Sequence, residues 1–170
     1  CPTCTGLGVL LKIDPDLVIP DKTKSLADGA ISTGGFNFSN EEAYGRMYLD
    51  ALARHYNFDI NTPVEELPEE ALDKVLYGTH GEKIKVEYDN NHGKGTFLSS
   101  FEGVVNSMER RYLETKSNTM KEYYESFMSD NLCSECEGKR LKKESLAVTV
   151  GGKNIYEVSC LPVSDCLAFF

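Results

Sequence analysis

Apolar residues recur along this chain with two periods, and the helical period predicts several helices. Between residues 44 and 55 the apolar side chains stand three or four positions apart, as on a helix with one buried face. Ser39 followed by Glu42 is a capping box, so we expect this helix to begin near Ser39. The pattern returns over residues 71–76 and stops before Gly78, a residue type that commonly ends helices.

The second half of the chain carries the same helical pattern twice. Residues 101–112 predict one helix, and Thr119 with Glu122 caps another that runs to Met128. Because residues 117–118 form only a short link, we expect the two helices to pack as a hairpin.

Between these helical regions the period changes to two, which predicts strands. Apolar residues alternate with lysine and glutamate over residues 83–88, and alternation resumes over residues 96–101. Residues 90–93, Asn-Asn-His-Gly, are turn formers. We therefore expect a β-hairpin that has one face on the core and Lys83, Lys85 and Lys94 on its outer side or tip.

The two ends of the chain carry weaker signals. Leu17–Ile19 predicts a short buried strand. Residues 146–150 alternate as a strand, residues 151–152 (Gly-Gly) turn the chain, and residues 155–158 continue as a strand. Ser164 caps the last predicted helix.

The cysteines stand in a repeated motif. Residues 1–6 read Cys-Pro-Thr-Cys-Thr-Gly and residues 133–138 read Cys-Ser-Glu-Cys-Glu-Gly, so both are C-x-x-C-x-G. Two such pairs supply the four thiolates that a structural zinc ion prefers, although iron accepts the same tetrahedron. The alternatives are reduced cysteines or a thiol redox motif. Cys160 and Cys166 have apolar neighbours and are predicted to be buried free thiols. The predicted zinc ligands are Cys1, Cys4, Cys133 and Cys136.

Helices and hairpins without a βαβ pattern are typical of an α+β fold. We expect a helical insertion domain with a β-hairpin, on a small zinc-knuckle base that carries a second short hairpin. The predicted base comprises residues 1–35 and 131–170, and the insertion domain comprises residues 36–130.

Composition limits the class of protein further. The chain has 170 residues, 41% of them hydrophobic, which is enough for a core. It shows neither a signal-peptide pattern nor a long apolar run, so we expect a cytoplasmic protein without membrane contact. Because it starts on a predicted ligand and stops within an apolar run, we expect it to be a piece of a longer protein.

The net charge of −9 is unevenly distributed. Residues 1–93 contain 8 Lys and Arg against 16 Asp and Glu, whereas residues 94–143 contain 9 against 8. Because phosphate binding needs positive potential, any contact with nucleic acid should fall in the second half or at the zinc site. The alternative is that these charges form an ordinary solvated surface.

Catalytic motifs are missing from the sequence. It contains neither a phosphate-binding G-x-x-x-x-G-K-[ST] loop nor a G-x-S-x-G or H-E-x-x-H motif. The glutamate pairs at residues 65–66 and 69–70 stand in predicted first turns, where anions stabilise helices. We expect the chain itself to be non-catalytic.

Several motifs resemble one family in the same order along the chain. They are the first cysteine motif with Leu7-Gly8, the stretch Ser25–Ile31, Phe101–Val104 with Met108–Tyr112, and Cys133–Leu141. Together they resemble UvrA, the family of damage-sensing ATPases in the bacterial UvrABC excinuclease. The resembling region of that family is an insertion domain with its flanking zinc module and the edge of the first signature domain.

The resemblance implies a parent protein with two ABC-type ATPase halves that works as a homodimer, uses ATP to find distorted DNA and loads UvrB. It implies that the insertion domain approaches the duplex. The chain lacks the phosphate loop, the ABC signature and the acidic strand motif, so ATP is expected to bind only the parent. The family's upstream cysteine pair is also missing here, which leaves a different pairing of the cysteines open.

The leading hypothesis is a domain of a nucleotide excision repair protein that handles double-stranded DNA, weakly in isolation. The runner-up is a protein-interaction or mechanical gating module without DNA contact. A DnaJ-like zinc module and a UvrA-like paralogue serving drug self-resistance are further alternatives. The candidate phosphate contacts are Arg110, Arg111, Lys116, Lys121, Lys139, Arg140, Lys142 and Lys143.

Overall fold

A computed structural model describes residues 1–33, 35–90 and 93–170 of the chain. The fold mixes helices with small antiparallel strand pairs. The helices are α1 (Pro15–Val18), α2 (Tyr44–Tyr56), a 3₁₀ turn (Val64–Glu66), α3 (Glu69–Tyr77), α4 (Val104–Glu114), α5 (Asn118–Glu125), α6 (Lys143–Leu146), α7 (Ile155–Ser159) and α8 (Val163–Phe169).

The strands form two-stranded pairs. β1 (Val9–Ile13) pairs with β6 (Met128–Leu132), and β4 (Ile84–Asn90) pairs antiparallel with β5 (Gly93–Ser99). The shortest pairs are β2 (Ser32–Thr33) with β3 (Phe36–Asn37) and β7 (Thr149–Val150) with β8 (Lys153–Asn154). In the described ranges, no helix has the length and apolar character needed to span a membrane.

The chain divides into two units. Unit 1 comprises residues 1–12 and 129–170, and unit 2 comprises residues 13–128. The sequence predicted domain boundaries at 35/36 and 130/131. Compact units and domains are defined differently, so these domain boundaries stay a prediction.

Unit 2 contains a continuous apolar core. Helix α2 packs on strand β4 and on α3, and α4 packs on both α3 and α5. The alternation along β4 places Ile84 and Val86 in this core, while Lys83 and Lys85 are exposed. The largest fully buried side chains include Phe38, Leu26, Ile31, Leu49, Leu52, Ile84 and Met108.

Two glycines let backbone segments cross at close range inside unit 2. Gly78 ends α3 at φ 85°, and Gly103 precedes α4 at φ 90°. A Cβ on Gly103 would lie 2.5 Å from the Gly78 nitrogen, so neither position has room for a side chain. The Thr79 N–H donates to the Phe101 carbonyl at 2.9 Å and fixes the crossing.

The hairpin, α3, α4 and the glycine stop at Gly78 confirm the sequence predictions, but three helix starts differ. Helix α2 begins at Tyr44 rather than near Ser39, because the Ser39 hydroxyl donates to the Asn37 side chain in a local turn. Helix α5 is capped by Ser117 rather than Thr119. Helix α8 begins after Pro162, so Ser164 lies inside it rather than capping it. Of the predicted 90–93 turn, Asn91 and His92 lie outside the described residues.

Two predicted strands are wrong, since both segments are short helices. Leu17–Ile19 falls at α1, where the Asp14 side chain accepts from the Asp16 N–H and Pro15 occupies the first turn. Residues 155–158 lie in α7, which begins with a capping box between Asn154 and Glu157.

The prediction that Cys160 and Cys166 are buried is also wrong. Cys160 is exposed and Cys166 is only partly buried, although both are free thiols. The apolar residues around them predicted burial from local sequence, but Leu167 remains 81% exposed.

Candidate metal centre and nucleic-acid interface

Each cysteine motif forms a turn with the same backbone conformation. In the first knuckle (residues 1–8), Thr5 and Gly6 have positive φ, and in the second (residues 133–140), Glu137 and Gly138 do. The glycine has the same offset in each motif because the turn needs a left-handed residue there. The carbonyl of the second cysteine then accepts an N–H from three residues further on, as Cys4 does from Leu7 at 2.9 Å.

Hydrogen bonds between the knuckles follow an approximate twofold relation. The Cys133 N–H donates to the Gly8 carbonyl at 2.9 Å, and the Cys1 nitrogen donates to the Arg140 carbonyl at 2.6 Å. Gly8 and Arg140 each stand four residues after the second cysteine of their motif, and both have positive φ. The two knuckles are therefore equivalent halves of one site within unit 1.

The four sulfurs converge at this pseudo-twofold. All four Sγ atoms lie within 4.8 Å of one another, with Cys1 to Cys133 at 3.9 Å and Cys4 to Cys136 at 3.6 Å. Zinc–sulfur bonds of about 2.3 Å in a tetrahedron separate the sulfurs by about 3.8 Å. Cys4, Cys133 and Cys136 are buried and Cys1 is partly buried. The cysteine cluster thus has the size of a four-thiolate metal site.

Backbone N–H groups favour a thiolate at Cys4. Burial acts to raise the pKa of this thiol, but hydrogen bonds from the N–H groups of Gly8 and Gly6 and from the Cys136 and Cys133 side chains together lower the pKa to about 7. The Gly8 nitrogen lies 3.2 Å from the sulfur. Burial instead raises the pKa of Cys136. The direct Gly8 N–H donor therefore makes Cys4 the more acidic thiol of the Cys4–Cys136 pair.

Four of the candidate DNA contacts lie within five residues, two at the end of the second knuckle and two just after it. In this basic segment (residues 139–143), Lys139 pairs with Glu137 at 3.0 Å and Lys143 pairs with Glu135 at 3.1 Å. Both partners are exposed, so water screens these pairs strongly. The Arg140 side chain lies over Gly8, where a Cβ would be 3.0 Å from Arg140 Cγ. Arg140 therefore has a structural contact as well as a charge.

The arginines of α4 are engaged within unit 2. Arg110 binds Glu102 through two nitrogens, at 2.8 and 3.0 Å, and Glu114 at 2.8 Å. Arg111 lies over the Phe36 ring at 5.5 Å from its centroid. Lys116 and Lys121 are exposed near the start of α5. The structure thus separates the eight candidates into an α4–α5 group and the basic segment.

Sequence reasoning missed the structural roles of Gly8 and Arg140. The signal was available, because each stands four residues after the second cysteine of a C-x-x-C-x-G motif. If the two cysteine motifs are aligned over eight residues rather than six, Gly8 and Arg140 fall at the same position, and this alignment predicts a turn at both.

Comparison with known proteins shows that this α+β chain belongs to a class of DNA-binding domains. The model of the UvrA DNA-binding domain family matches residues 14–126. The chain therefore belongs to the UvrA DNA-binding domain family. The match covers nearly all of unit 2 and excludes the cysteine cluster.

Relatives that match over nearly the whole length of this chain include both units in the match. The UvrABC system protein A of Clostridium tetani is 47% identical over 99% of this chain, and that of Bacillus subtilis is 43% identical over 100%. The chain spans 18% of the length of each. The crystal structure of UvrA2 from Deinococcus radiodurans matches 98% of this chain and 21% of that chain, with TM-score 0.70 and 24% identity, which shows the shared fold.

Proposed function

We propose that this chain is the DNA-handling part of a UvrA-type nucleotide excision repair protein and that a structural zinc ion holds its unit 1. The family match over residues 14–126 carries the DNA-binding role, since the family is named for that domain. The longer protein would bind ATP, form a homodimer and load UvrB, while this part performs no catalysis. The relatives, all named as subunits of the UvrABC system, support that placement.

The cysteine cluster supports zinc rather than a redox pair. The Cys1–Cys133 and Cys4–Cys136 sulfur contacts, at 3.9 and 3.6 Å, each join one knuckle to the other. A bound zinc ion would supply charge to hold four thiolates and, being saturated by them, would leave no position for a reacting water. Cys1, Cys4, Cys133 and Cys136 would therefore serve the fold of unit 1.

The basic segment is the best-supported place for phosphate contact. It holds Lys139, Arg140, Lys142 and Lys143 in sequence, and its backbone is fixed by the knuckle because the Lys139 N–H donates to the Cys136 carbonyl at 2.8 Å. Lysine and arginine contact the DNA backbone without reading sequence, as a search for damage requires. By contrast, the guanidinium of Arg110 already has two carboxylate partners.

Fluorescence anisotropy with a labelled duplex across a salt series tests this assignment. The variant replaces Lys139, Lys142 and Lys143 by Gln and keeps Arg140, which packs on Gly8. Losing three phosphate contacts should weaken binding and lower the slope of log affinity against log salt by up to about 2.7.

The matched control replaces Lys22, Lys24 and Lys83 of unit 2 by Gln, with the same change in charge. It should keep the wild-type slope. Equal losses in both variants would mean that only net charge matters, and salt-independent binding would refute phosphate contact and favour a protein-interaction or gating role.

A further inference from the structure

A chain of aromatic contacts leads from the core of unit 2 to its surface. Phe101 contacts Tyr48 at 5.6 Å between ring centroids, Tyr48 contacts Phe97 at 6.4 Å, and Phe97 contacts Tyr88 at 6.2 Å. Tyr88 crosses to the other strand, where a Cβ on Gly95 would lie 2.5 Å from its hydroxyl oxygen. The inner rings are buried, whereas Tyr88 and Phe97 are each 37% exposed.

Tyr44 is the most exposed ring of this group, and hydrogen bonds fix its position. Its ring lies 5.1 Å from that of Tyr48, and the two hydroxyl oxygens are 3.1 Å apart. Since the Tyr48 hydroxyl donates to Ser99 and Ser99 donates to the Ser100 carbonyl, Tyr44 must donate to Tyr48. The hydrogen bond to Tyr48 raises the pKa of Tyr44 to about 12, so the phenol stays neutral. A side chain that is 70% exposed is thus held in one place.

The rings of Tyr44, Tyr88 and Phe97 line an open groove of about 1240 Å³ between α2 and the β4–β5 hairpin. Four carboxylates and two cations stand around it, namely Glu41, Glu42, Asp50 and Glu87 with Arg54 and Lys94. Asp50 is paired with Arg46 at 3.0 Å, and Glu87 with Lys85 at 3.0 Å and with Arg54 at 3.6 Å. Within the described ranges, Glu41 and Glu42 form no ion pair. The lining carboxylates therefore outnumber the lining cations by four to two, and among the described residues Glu41 and Glu42 are the ones that supply unpaired negative charge.

We propose that this groove binds a basic peptide segment of a partner protein, with an Arg or Lys side chain over the exposed rings and its charge facing Glu41 and Glu42. Cations bind aromatic faces within about 6 Å, and guanidinium groups also pair with carboxylates. A stacked nucleobase would fit the rings equally well, but its phosphates would face the carboxylates. The unpaired carboxylates of Glu41 and Glu42 therefore favour a basic peptide over a single strand of DNA, although Lys94 also lines the groove.

Titration of the whole chain with a fluorescein-labelled peptide tests the proposal, followed by anisotropy and by amide chemical shifts. The probe contains four Arg in a Gly/Ser background, and a peptide with Glu in place of Arg is its control. Shifts should be confined to residues around Tyr44, Tyr88 and Phe97. Replacing Glu41 and Glu42 by Lys should weaken binding about tenfold.

Replacing Glu65 and Glu66 by Lys is the matched control, since these exposed glutamates lie in the 3₁₀ turn and outside the groove. This variant should bind as wild type does. Tyr44→Leu should weaken binding about two- to fivefold, and Tyr44→Phe should restore most of it. Chemical shifts of the unbound variants establish that each is folded.

Three results would overturn the proposal. Equal binding of the Glu peptide would remove the role of charge. Equal losses in the two double-glutamate variants would place the effect on net charge rather than on the groove. Displacement of the Arg peptide by oligothymidylate, with the same chemical shifts and higher affinity, would make the groove a base-stacking site instead.

Discussion

The two units of this molecule are stabilised in different ways. Unit 2 buries a continuous set of apolar side chains from its helices and the β4–β5 hairpin. In unit 1, all of which the structure describes, the buried residues are Cys4, Gly8, Cys133 and Cys136. Apolar side chains such as Val163 and Phe170 are 88% and 89% exposed there. Unit 2 therefore has a hydrophobic core, whereas the buried residues of unit 1 are those of the cysteine cluster and Gly8.

The contrast indicates what each unit needs in order to fold. A segment without enough buried apolar surface requires a staple, and a structural metal is one of the few available. In unit 1 the knuckles join residues that are 132 positions apart in the chain. The metal would therefore close a long loop whose contents fold through an independent core.

Charge separates the units as well. Unit 1 contains six Lys and Arg and six Asp and Glu, whereas unit 2 contains twelve and twenty-one. The whole net charge of −9 thus resides in the unit that matches the DNA-binding family. Because a duplex repels such a surface on average, we expect phosphate contacts to be local, and the neutral unit offers the densest basic segment.

Zinc removal should separate the units most strongly. We expect Cys133→Ser with Cys136→Ser to abolish zinc binding and unfold unit 1, because structural zinc contributes about 10–16 kcal/mol of apparent binding free energy. Amide chemical shifts of unit 2 should persist. Cys160→Ser with Cys166→Ser is the control and should keep zinc and both sets of shifts. Native-like unit 1 shifts in the first variant would refute a metal-dependent fold.

Gly103→Ala should destabilise unit 2 and leave unit 1 and its metal site intact. The new Cβ would meet the Gly78 backbone, and φ is positive there, so unit 2 should lose about 2–4 kcal/mol in urea unfolding followed by circular dichroism. Zinc content should not change. Gly81→Ala also has positive φ but open space around it, so it should lose less. Equal losses would show that the close crossing of the two segments contributes nothing.

The smallest expected effect concerns Arg110. Its hydrogen bonds lower the pKa of Glu102 in the folded protein, so the stabilisation is present above the ordinary value of 4.5 and is lost as the pH falls through the lower folded pKa. Arg110→Met should therefore reduce stability at pH 7 by less than about 1 kcal/mol, since the pair is exposed. At pH 3 the substitution should reduce the stability by an even smaller amount, because part of the Glu102 carboxylate is then protonated.

Urea unfolding at the two pH values measures this difference. Lys121→Met, which removes one exposed charge from α5, should show the wild-type pH dependence. A loss in Arg110→Met that is as large at pH 3 as at pH 7 would contradict the proposed role of the Glu102 carboxylate.

The sequence predicted features that depend on strong local chemistry. The convergence of the four cysteines could be predicted because their spacing and the glycines that follow them reflect turn geometry. The hairpin could be predicted from the alternation of apolar and polar residues over β4 and β5. The capping box at Asn154 and Glu157 was also present in the sequence, but the apolar alternation of residues 155–158 predicted a strand instead. In both segments that were wrongly predicted as strands, residues 17–19 and 155–158, a helix-capping side chain decided the structure against the apolar pattern.

Other features depend on contacts between distant residues. The pairing of β1 with β6 joins segments more than a hundred positions apart, and neither strand has a clear alternation. The aromatic groove likewise combines Tyr44 of α2 with Phe97 of β5. Such features follow from contacts between distant segments and cannot be predicted from a local stretch of sequence.

Zinc stoichiometry and X-ray absorption spectroscopy on the purified chain would show whether the two knuckles bind one ion together. We expect one zinc ion per chain with four sulfur neighbours at about 2.3 Å. A zinc ion with mixed sulfur and nitrogen or oxygen ligands, or a chain that folds unit 1 without any metal, would contradict a single site shared by the two knuckles.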